Sequence, residues 1–258
     1  NNWLFSTNPA PLIVRKTAAE LRDNLTKRFP THTIILRSLN SYSDTAAMDA
    51  LQAEGFQLVP SRQVYLFDGR SSSKLSRDLK ADQRLLRATP HSIVSNTAFG
   101  PKDYARCAEL YRLLYLEKYS SLNPQYSESF IADMHQHGLI QLEGFRADDG
   151  CLVAFGGRFE YDQTLTQPLL GYDTGRPQKE GLYRLITALA QEHAQKKGLL
   201  FNMSAGAAGF KRHRRAISAI EFSAVYNSHL SLRQRLAQTV IFKILLRIGI
   251  PLLKRFAL

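Results

Sequence analysis

The stretch from residue 139 to residue 203 constrains the fold more than any other part of the chain. Three β-rich runs, one helical pattern and one further β-rich run follow each other there: Leu139–Phe145, Cys151–Tyr161, Thr164–Asp173, Lys179–Lys197 and Leu199–Met203. The turn Asp148-Asp149-Gly150 predicts a hairpin, because glycine supplies the positive φ that such a turn needs. This order of elements predicts an α/β fold with a mixed sheet flanked by helices.

The rest of the chain extends this pattern on both sides. Residues 1–95 also mix helical and β-rich runs, and we interpret them as a degenerate copy of the second half, residues 96–229. The prediction is therefore two pseudo-repeated halves, of which the second carries the active site. Residues 230–258 follow as a basic amphipathic C-terminal helix.

Three polar segments carry a resemblance to a known family: Arg77-Asp78-Leu79-Lys80, the turn from Gly171 to Arg184, and the run from Ser204 to Arg212. Together they resemble the FemABX-related branch of the GNAT acyltransferase superfamily, over residues 71–229. Within the turn, Gln178-Lys179-Glu180-Gly181 is similar to the family's Gln/Arg-x-x-Gly-x-Gly/Ala pyrophosphate loop. The sequence departs from that loop at Tyr183, where the family has a small residue.

The resemblance implies transfer of an acyl or aminoacyl group to an amine, with acyl-coenzyme A, acyl carrier protein or aminoacyl-tRNA as the donor. A helix start suits a phosphate-bearing donor, because its first N–H groups have no partner within the helix. The predicted donor-binding residues are Gln178, Lys179, Glu180, Gly181, Leu182, Lys211 and Arg212. The basic run from residue 211 to residue 215 has a plainer alternative, a solvated charged face.

Candidate catalytic residues are Asp173, Tyr226 and His229. Transfer to an amine needs a base for the amine and an acid for the leaving thiolate, but no covalent nucleophile. Asp173 is the last residue of the predicted run Thr164–Asp173, and it is predicted as the base or as a water-holding carboxylate, or else as a turn residue before Gly175. Tyr226 is the candidate acid and His229 a second candidate base, unless they are a core and a surface residue. We predict no metal site, because His135 and His137 are two apart and do not share a helix face.

Positive charge is concentrated at the C-terminus. The chain carries a net charge of +12, and residues 209–258 contain ten Lys or Arg against one acid, Glu221. Residues 239–253 are apolar apart from Lys243 and Arg247. This stretch is too short and too charged for a transmembrane span, which needs about 20 apolar residues. A basic stripe on an apolar helix is typical of a helix that lies in the headgroup region of a membrane. A helix packed on the domain and a dimer contact are the alternatives. Pro251 predicts a kink or break.

The function predicted from the sequence is N-acyl transfer from a thioester donor, acyl-coenzyme A or acyl carrier protein, to an amine at an anionic membrane surface. The predicted location is the cytoplasmic face of the membrane, since Cys107 and Cys151 match no disulfide framework or metal spacing. One alternative is an aminoacyl-tRNA-dependent transferase acting on a cell-wall precursor, and another is a catalytically silent membrane adaptor. No nucleic acid other than tRNA is expected as a partner.

Overall fold

A computed structural model describes residues 5–71 and 74–256. Its helices are α1 (Arg15–Arg28), α2 (Thr45–Ala53), α3 (Arg77–Ala88), α4 (Pro101–Tyr111), α5 (Glu128–Gln136), α6 (Leu182–Lys197), α7 (Ala208–His213), α8 (Leu232–Ile244) and α9 (Ile250–Phe256). Its strands are β1 (Ile34–Asn40), β2 (Gln57–Asp68), β3 (Ser92–Val94), β4 (Gln141–Arg146), β5 (Leu152–Tyr161), β6 (Thr164–Tyr172), β7 (Leu200–Asn202) and β8 (Ile217–Tyr226). The predicted α/β fold with a mixed sheet, flanking helices and a C-terminal helix is confirmed.

The chain forms two compact units. One contains the chain up to Leu66, residues 203–212 and the chain from Ala216 onward, and the other contains residues 67–202 and 213–215. Chain segments that are distant in sequence thus share the first unit. The interpretation of residues 1–95 and 96–229 as related halves stays a prediction.

The first unit is built around β8, which pairs antiparallel with β1 on one side and with β2 on the other. Helices α1 and α2 pack beside these strands over a core that includes Leu39, Leu51 and Ala224, all fully buried. Apolar residues at alternate positions of the strands fill this core, as expected for strands with one covered face.

The second unit has the strand order β7-β6-β5-β4-β3. All pairs are antiparallel except β6 with β7, which are parallel because α6 crosses between them. The predicted turn at Gly150 forms, with φ of 81° at the glycine and a hydrogen bond from its N–H to the Ala147 carbonyl. On one face, Leu185 and Ile186 of α6 pack against Phe145 and Ala154 of the sheet.

The C-terminal helix continues where the sequence predicted a break. Residues 245–249 form a π-helical stretch between α8 and α9, and Pro251 is the second residue of α9. The wider turn before the proline accommodates its missing N–H, so the helix does not break at this step, and the predicted alternative of a kink stays a prediction. In the part of the chain that the structure describes, Leu232–Phe256 is the one helix long and apolar enough to cross a membrane. An 18-residue window of this helix has a mean hydropathy of 1.7 and contains no buried residue. Residues 257 and 258 lie outside the described residues.

Candidate active site

One edge of β6 is open over most of its length. The strand pairs with β7 only through Thr164, Leu165 and Thr166. β7 ends at Asn202, whereas β6 runs on to Tyr172, and no described strand pairs with this edge beyond Thr166. Pro168 lies in the open part, which agrees with the restriction of strand prolines to edges. Such an edge is available to pair with an extended ligand.

A tightly braced turn leads from the open edge to α6. The Glu180 carboxylate accepts a hydrogen bond from Nε of Arg176 at 2.7 Å and lies 3.0 Å from Nε2 of His91. The bond from Arg176 lowers the pKa of Glu180, so its carboxyl group is ionised at neutral pH. These two contacts hold the short 3₁₀ turn of residues 178–180 in front of the helix.

Gly181 is the residue on which this helix start depends. Its φ of 67° is left-handed, and a Cβ atom here would lie 2.7 Å from Cδ2 of Leu85. Gly181 has no side chain with which to cap the helix, and no acidic residue occupies the first turn of α6. The first N–H groups of α6 therefore have neither a helical partner nor a side-chain cap, which leaves a site for an anion.

The fold that carries this site has counterparts among solved structures. The crystal structure of FemX matches with a TM-score of 0.64 at 10% identity, over 88% of this chain and 79% of that chain. L-PGS from Bacillus licheniformis matches with a TM-score of 0.61 at 12% identity, over 88% and 77% of the two chains. The C-terminal domain of a putative lysylphosphatidylglycerol synthetase from Agrobacterium fabrum gives 0.60 at 14% identity, over 88% and 78%. The chain has a FemX-related fold.

The resemblance seen in the sequence is thereby confirmed for the fold. Identities this low establish the fold alone, and the activity of those proteins is a separate matter. No protein-family model matches the sequence. No curated protein matches it either.

The predicted donor-binding residues fall into two groups. Residues 178–182 form the braced turn and the start of α6, where Gln178 and Lys179 are exposed and Leu182 is buried. Leu182 would therefore contribute only its backbone N–H to a donor. Lys211 and Arg212 belong to α7 in the first unit, and their part in binding a donor stays a prediction.

Lys211 is buried rather than presented on a charged surface. Its ammonium group donates to the backbone carbonyls of Met203 at 2.6 Å, Ser204 at 3.1 Å and Ala205 at 2.7 Å. Burial lowers the pKa of Lys211 to about 7. The side chain braces the loop after β7, and Arg212 next to it is exposed.

The candidate catalytic residues are also divided between the two units. Asp173, in the second unit, accepts hydrogen bonds from Nη2 of Arg106 at 2.9 Å and from the N–H of Gly175 at 3.0 Å. Both oxygens of its carboxylate therefore stabilise the turn, as in the plainer interpretation of this residue. No described contact tests its role as a base, which stays a prediction.

Tyr226 and His229 lie together at the end of β8 in the first unit. Their rings stack at 5.7 Å with an angle of 8° between the planes, and the Tyr226 ring also contacts Phe56 at 5.3 Å. Nε2 of His229 lies 3.0 Å from the carbonyl oxygen of His32. The structure thus places these two side chains as neighbours, while their roles as acid and base stay predictions.

Sequence reasoning missed an ion cluster at the start of α6. Asp82 of α3 is 1% exposed and accepts a hydrogen bond from Nε of Arg184 at 2.7 Å. The guanidinium group of Arg214 binds the same carboxylate, with Nη2 at 3.1 Å from Oδ1. The available signal was the position of Asp82 three residues after the buried Leu79, which puts an acid on the covered face of α3.

Proposed function

We propose that the protein is a transferase that moves an acyl group from an activated thioester donor to an amine at a membrane surface. The observation that carries this proposal is the open edge of β6 leading to the uncapped start of α6. An extended donor arm would pair with the edge, and its phosphate groups would meet the first N–H groups of the helix.

The reaction asks little of the side chains around this edge. A backbone N–H of the open strand would polarise the thioester carbonyl, and the neutral amine would attack the carbonyl carbon. The C–N bond forms and the C–S bond breaks. The thiolate takes up a proton, and the attacking nitrogen gives up a proton to the base, which leaves a neutral amide. In this scheme Asp173 is the proposed base, and Tyr226 and His229 are the remaining candidates for proton transfer.

Tyr183 is compatible with a phosphate site despite its size. Its ring packs against the core cluster that contains Leu182, Leu185 and Ile186. Burial raises the pKa of its phenol to about 12, so the side chain remains neutral. The Tyr183 ring packs on this cluster, and no side chain among the described residues caps the start of the helix. This supports acyl-coenzyme A or acyl carrier protein as the proposed donor.

The exposed C-terminal helix supports the membrane location. Its 25 residues are about 37 Å long at 1.5 Å per residue, enough to span a bilayer. Spanning would place Lys243 and Arg247 near the middle of the membrane, at a cost of about 2.5–3.5 kcal/mol each. A helix lying in the headgroup region avoids this cost, because the two cations face water while the apolar residues insert. We therefore propose a peripheral attachment on the cytoplasmic face.

Thermal unfolding with acyl donors tests the donor site. We expect acetyl-, octanoyl- or palmitoyl-coenzyme A to raise the melting temperature, since a ligand at 100 times its Kd stabilises by about 2.7 kcal/mol. Gly181→Trp should abolish the shift. Gly138→Trp is the matched control, because Gly138 also has a positive φ of 68° but lies in a different turn with open space around it.

Absence of a shift with every ligand, free coenzyme A included, would contradict coenzyme A as the donor and leave acyl carrier protein as the proposed thioester donor. The aminoacyl-tRNA-dependent transferase and the silent adaptor stay predictions. Sensitivity of transfer to ribonuclease separates the first from a thioester enzyme, and the lack of transfer with any donor favours the second.

A further inference from the structure

Helix α3 separates its charges onto two sides. Arg77, Lys80, Arg84 and Arg87 are all exposed. At 100° per residue they fall within a sector of about 80°, and they extend over about 15 Å of helix. Four cations therefore form a straight row on the outer face of α3, which we call the α3 basic row.

The acids of α3 lie on its other side. Asp82 is buried with Arg184 and Arg214, as described above. Asp78 lies 3.5 Å from Nδ1 of His213 and 3.7 Å from Nη1 of Arg214. Neither acid neutralises the basic row, so the segregation of charge is built into the packing of the helix.

None of the four cations of the α3 basic row has a hydrogen bond or an ion pair with any residue that the structure describes. Together with Gln83 they line an open groove of about 480 Å³. Like charges three or four residues apart disfavour a helix, and this row contains three such neighbouring pairs. An anionic partner would offset that repulsion. A row of cations that is unfavourable for the helix alone is therefore explained by a role in binding.

We propose that the α3 basic row binds the anionic headgroups of a phospholipid bilayer. It would be a second membrane contact, in addition to the C-terminal helix. This inference rests on the membrane location in the proposed function. The row contacts the surface electrostatically, because the residues lining its groove include no apolar side chain that would insert. Peripheral proteins generally need two such signals for stable attachment, an apolar one and a basic one.

A nucleic acid fits this face less well. Surfaces that bind single strands combine a basic track with aromatic rings on which bases stack. The groove of the α3 basic row is lined by four cations and one amide, with no aromatic ring among them. A surface that offers charge, but no aromatic or apolar groups, suits a plane of lipid headgroups. Such a plane attracts a protein through its charge density alone.

Vesicle binding by the full-length protein tests the proposal. The α3 variant carries Arg77→Gln, Lys80→Gln, Arg84→Gln and Arg87→Gln. The matched control removes the same charge from exposed lysines elsewhere, with Lys16→Gln, Lys27→Gln, Lys102→Gln and Lys196→Gln. A third variant keeps the charge of the row and changes its geometry, with Arg77→Lys, Arg84→Lys and Arg87→Lys. Each is sedimented with vesicles of phosphatidylcholine alone and of phosphatidylcholine with phosphatidylglycerol, and each is also titrated with bulk tRNA.

We expect the α3 variant to lose affinity for the anionic vesicles by about fivefold for each cation, or several hundredfold for all four. The dispersed control should lose much less, and the lysine variant should bind like the wild type. Binding to neutral vesicles through the C-terminal helix should be unchanged. Equal losses in the α3 variant and the dispersed control would overturn the proposal.

Loss of tRNA binding by the α3 variant, with vesicle binding intact, would also overturn it and assign the row to RNA. The assay needs no acyl donor, so its outcome is independent of the donor-binding test. A protein that binds coenzyme A thioesters but shows no α3-dependent vesicle binding would retain the proposed chemistry and lose only this inference.

Discussion

Replacing Asp82 by Asn is the sharpest test of how the start of α6 is held. The carboxylate is 1% exposed and binds the guanidinium groups of both Arg184 and Arg214. The amide keeps the shape of the side chain but removes its charge. The guanidinium group of Arg214, whose side chain is 7% exposed, thereby loses the carboxylate of its buried ion pair. Breaking a buried ion pair by removing one partner costs about 3–5 kcal/mol.

For a chain of this size, that loss corresponds to a fall in melting temperature of about 6–20 °C. Thermal and urea unfolding followed by circular dichroism measure it directly. Asp78→Asn is the control on the same helix, because Asp78 is 38% exposed and its ion pairs are long. An exposed pair contributes about 0–1 kcal/mol, so this variant should unfold close to the wild type. If Asp82→Asn unfolds within about 1 kcal/mol of Asp78→Asn, the reasoning about a buried charge at this site is refuted.

Three further variants probe other parts of the molecule. Burial raises the pKa of Glu143 to about 7. Because this folded-state pKa exceeds the unfolded value, stability is lost as pH rises through 7, and the urea midpoint of the wild type should fall relative to that of Glu143→Gln between pH 5 and pH 8. A difference between the two midpoints that stays constant with pH would contradict this. A Cβ atom at Gly171 would lie 2.6 Å from the backbone of Leu110 in α4, so Gly171→Ala should lower the free energy of unfolding by about 1–3 kcal/mol. Gly209→Ala is the control, because a Cβ atom there would have nothing within 4 Å and should not lower it. Equal melting temperatures of the two variants would count against the packing argument. Lys211→Met removes three hydrogen bonds from one buried ammonium group; we expect a loss of about 2 kcal/mol in urea unfolding, and a variant as stable as the wild type would show that the loop does not depend on it.

Local patterns predicted the second unit well because its elements follow one another in sequence. β5 spans Leu152–Tyr161 and β6 spans Thr164–Tyr172, each within one residue of its prediction. Alternation of apolar residues and the glycine of a tight turn act over a few residues, so a sequence reveals them directly. The start of α6 was predicted three residues too early, because the 3₁₀ turn before it has helix-like composition.

Contacts between residues that are distant in sequence could not be predicted from the sequence. Lys211 stands in a basic run that favours an exposed surface, yet three carbonyls of a neighbouring loop bury it. The partners of Asp82 are 102 and 132 residues away, and no local pattern connects them. The division of the candidate catalytic residues between two units depends likewise on which distant segments pack together.

The open edge of β6 also bears on how the protein behaves when no donor occupies it. A strand edge that accepts an extended ligand would equally accept a strand from a second copy of the chain, which is a route to self-association. Pro168 reduces this hazard, since a proline in the unpaired part of β6 has no N–H to offer an intruding strand. Pro168 also interrupts the row of backbone hydrogen bonds that a long strand could form with this edge. A ligand that pairs over only a few residues would lose few of these hydrogen bonds. If a donor does pair with this edge, we expect the edge to favour a short ligand segment over a long strand.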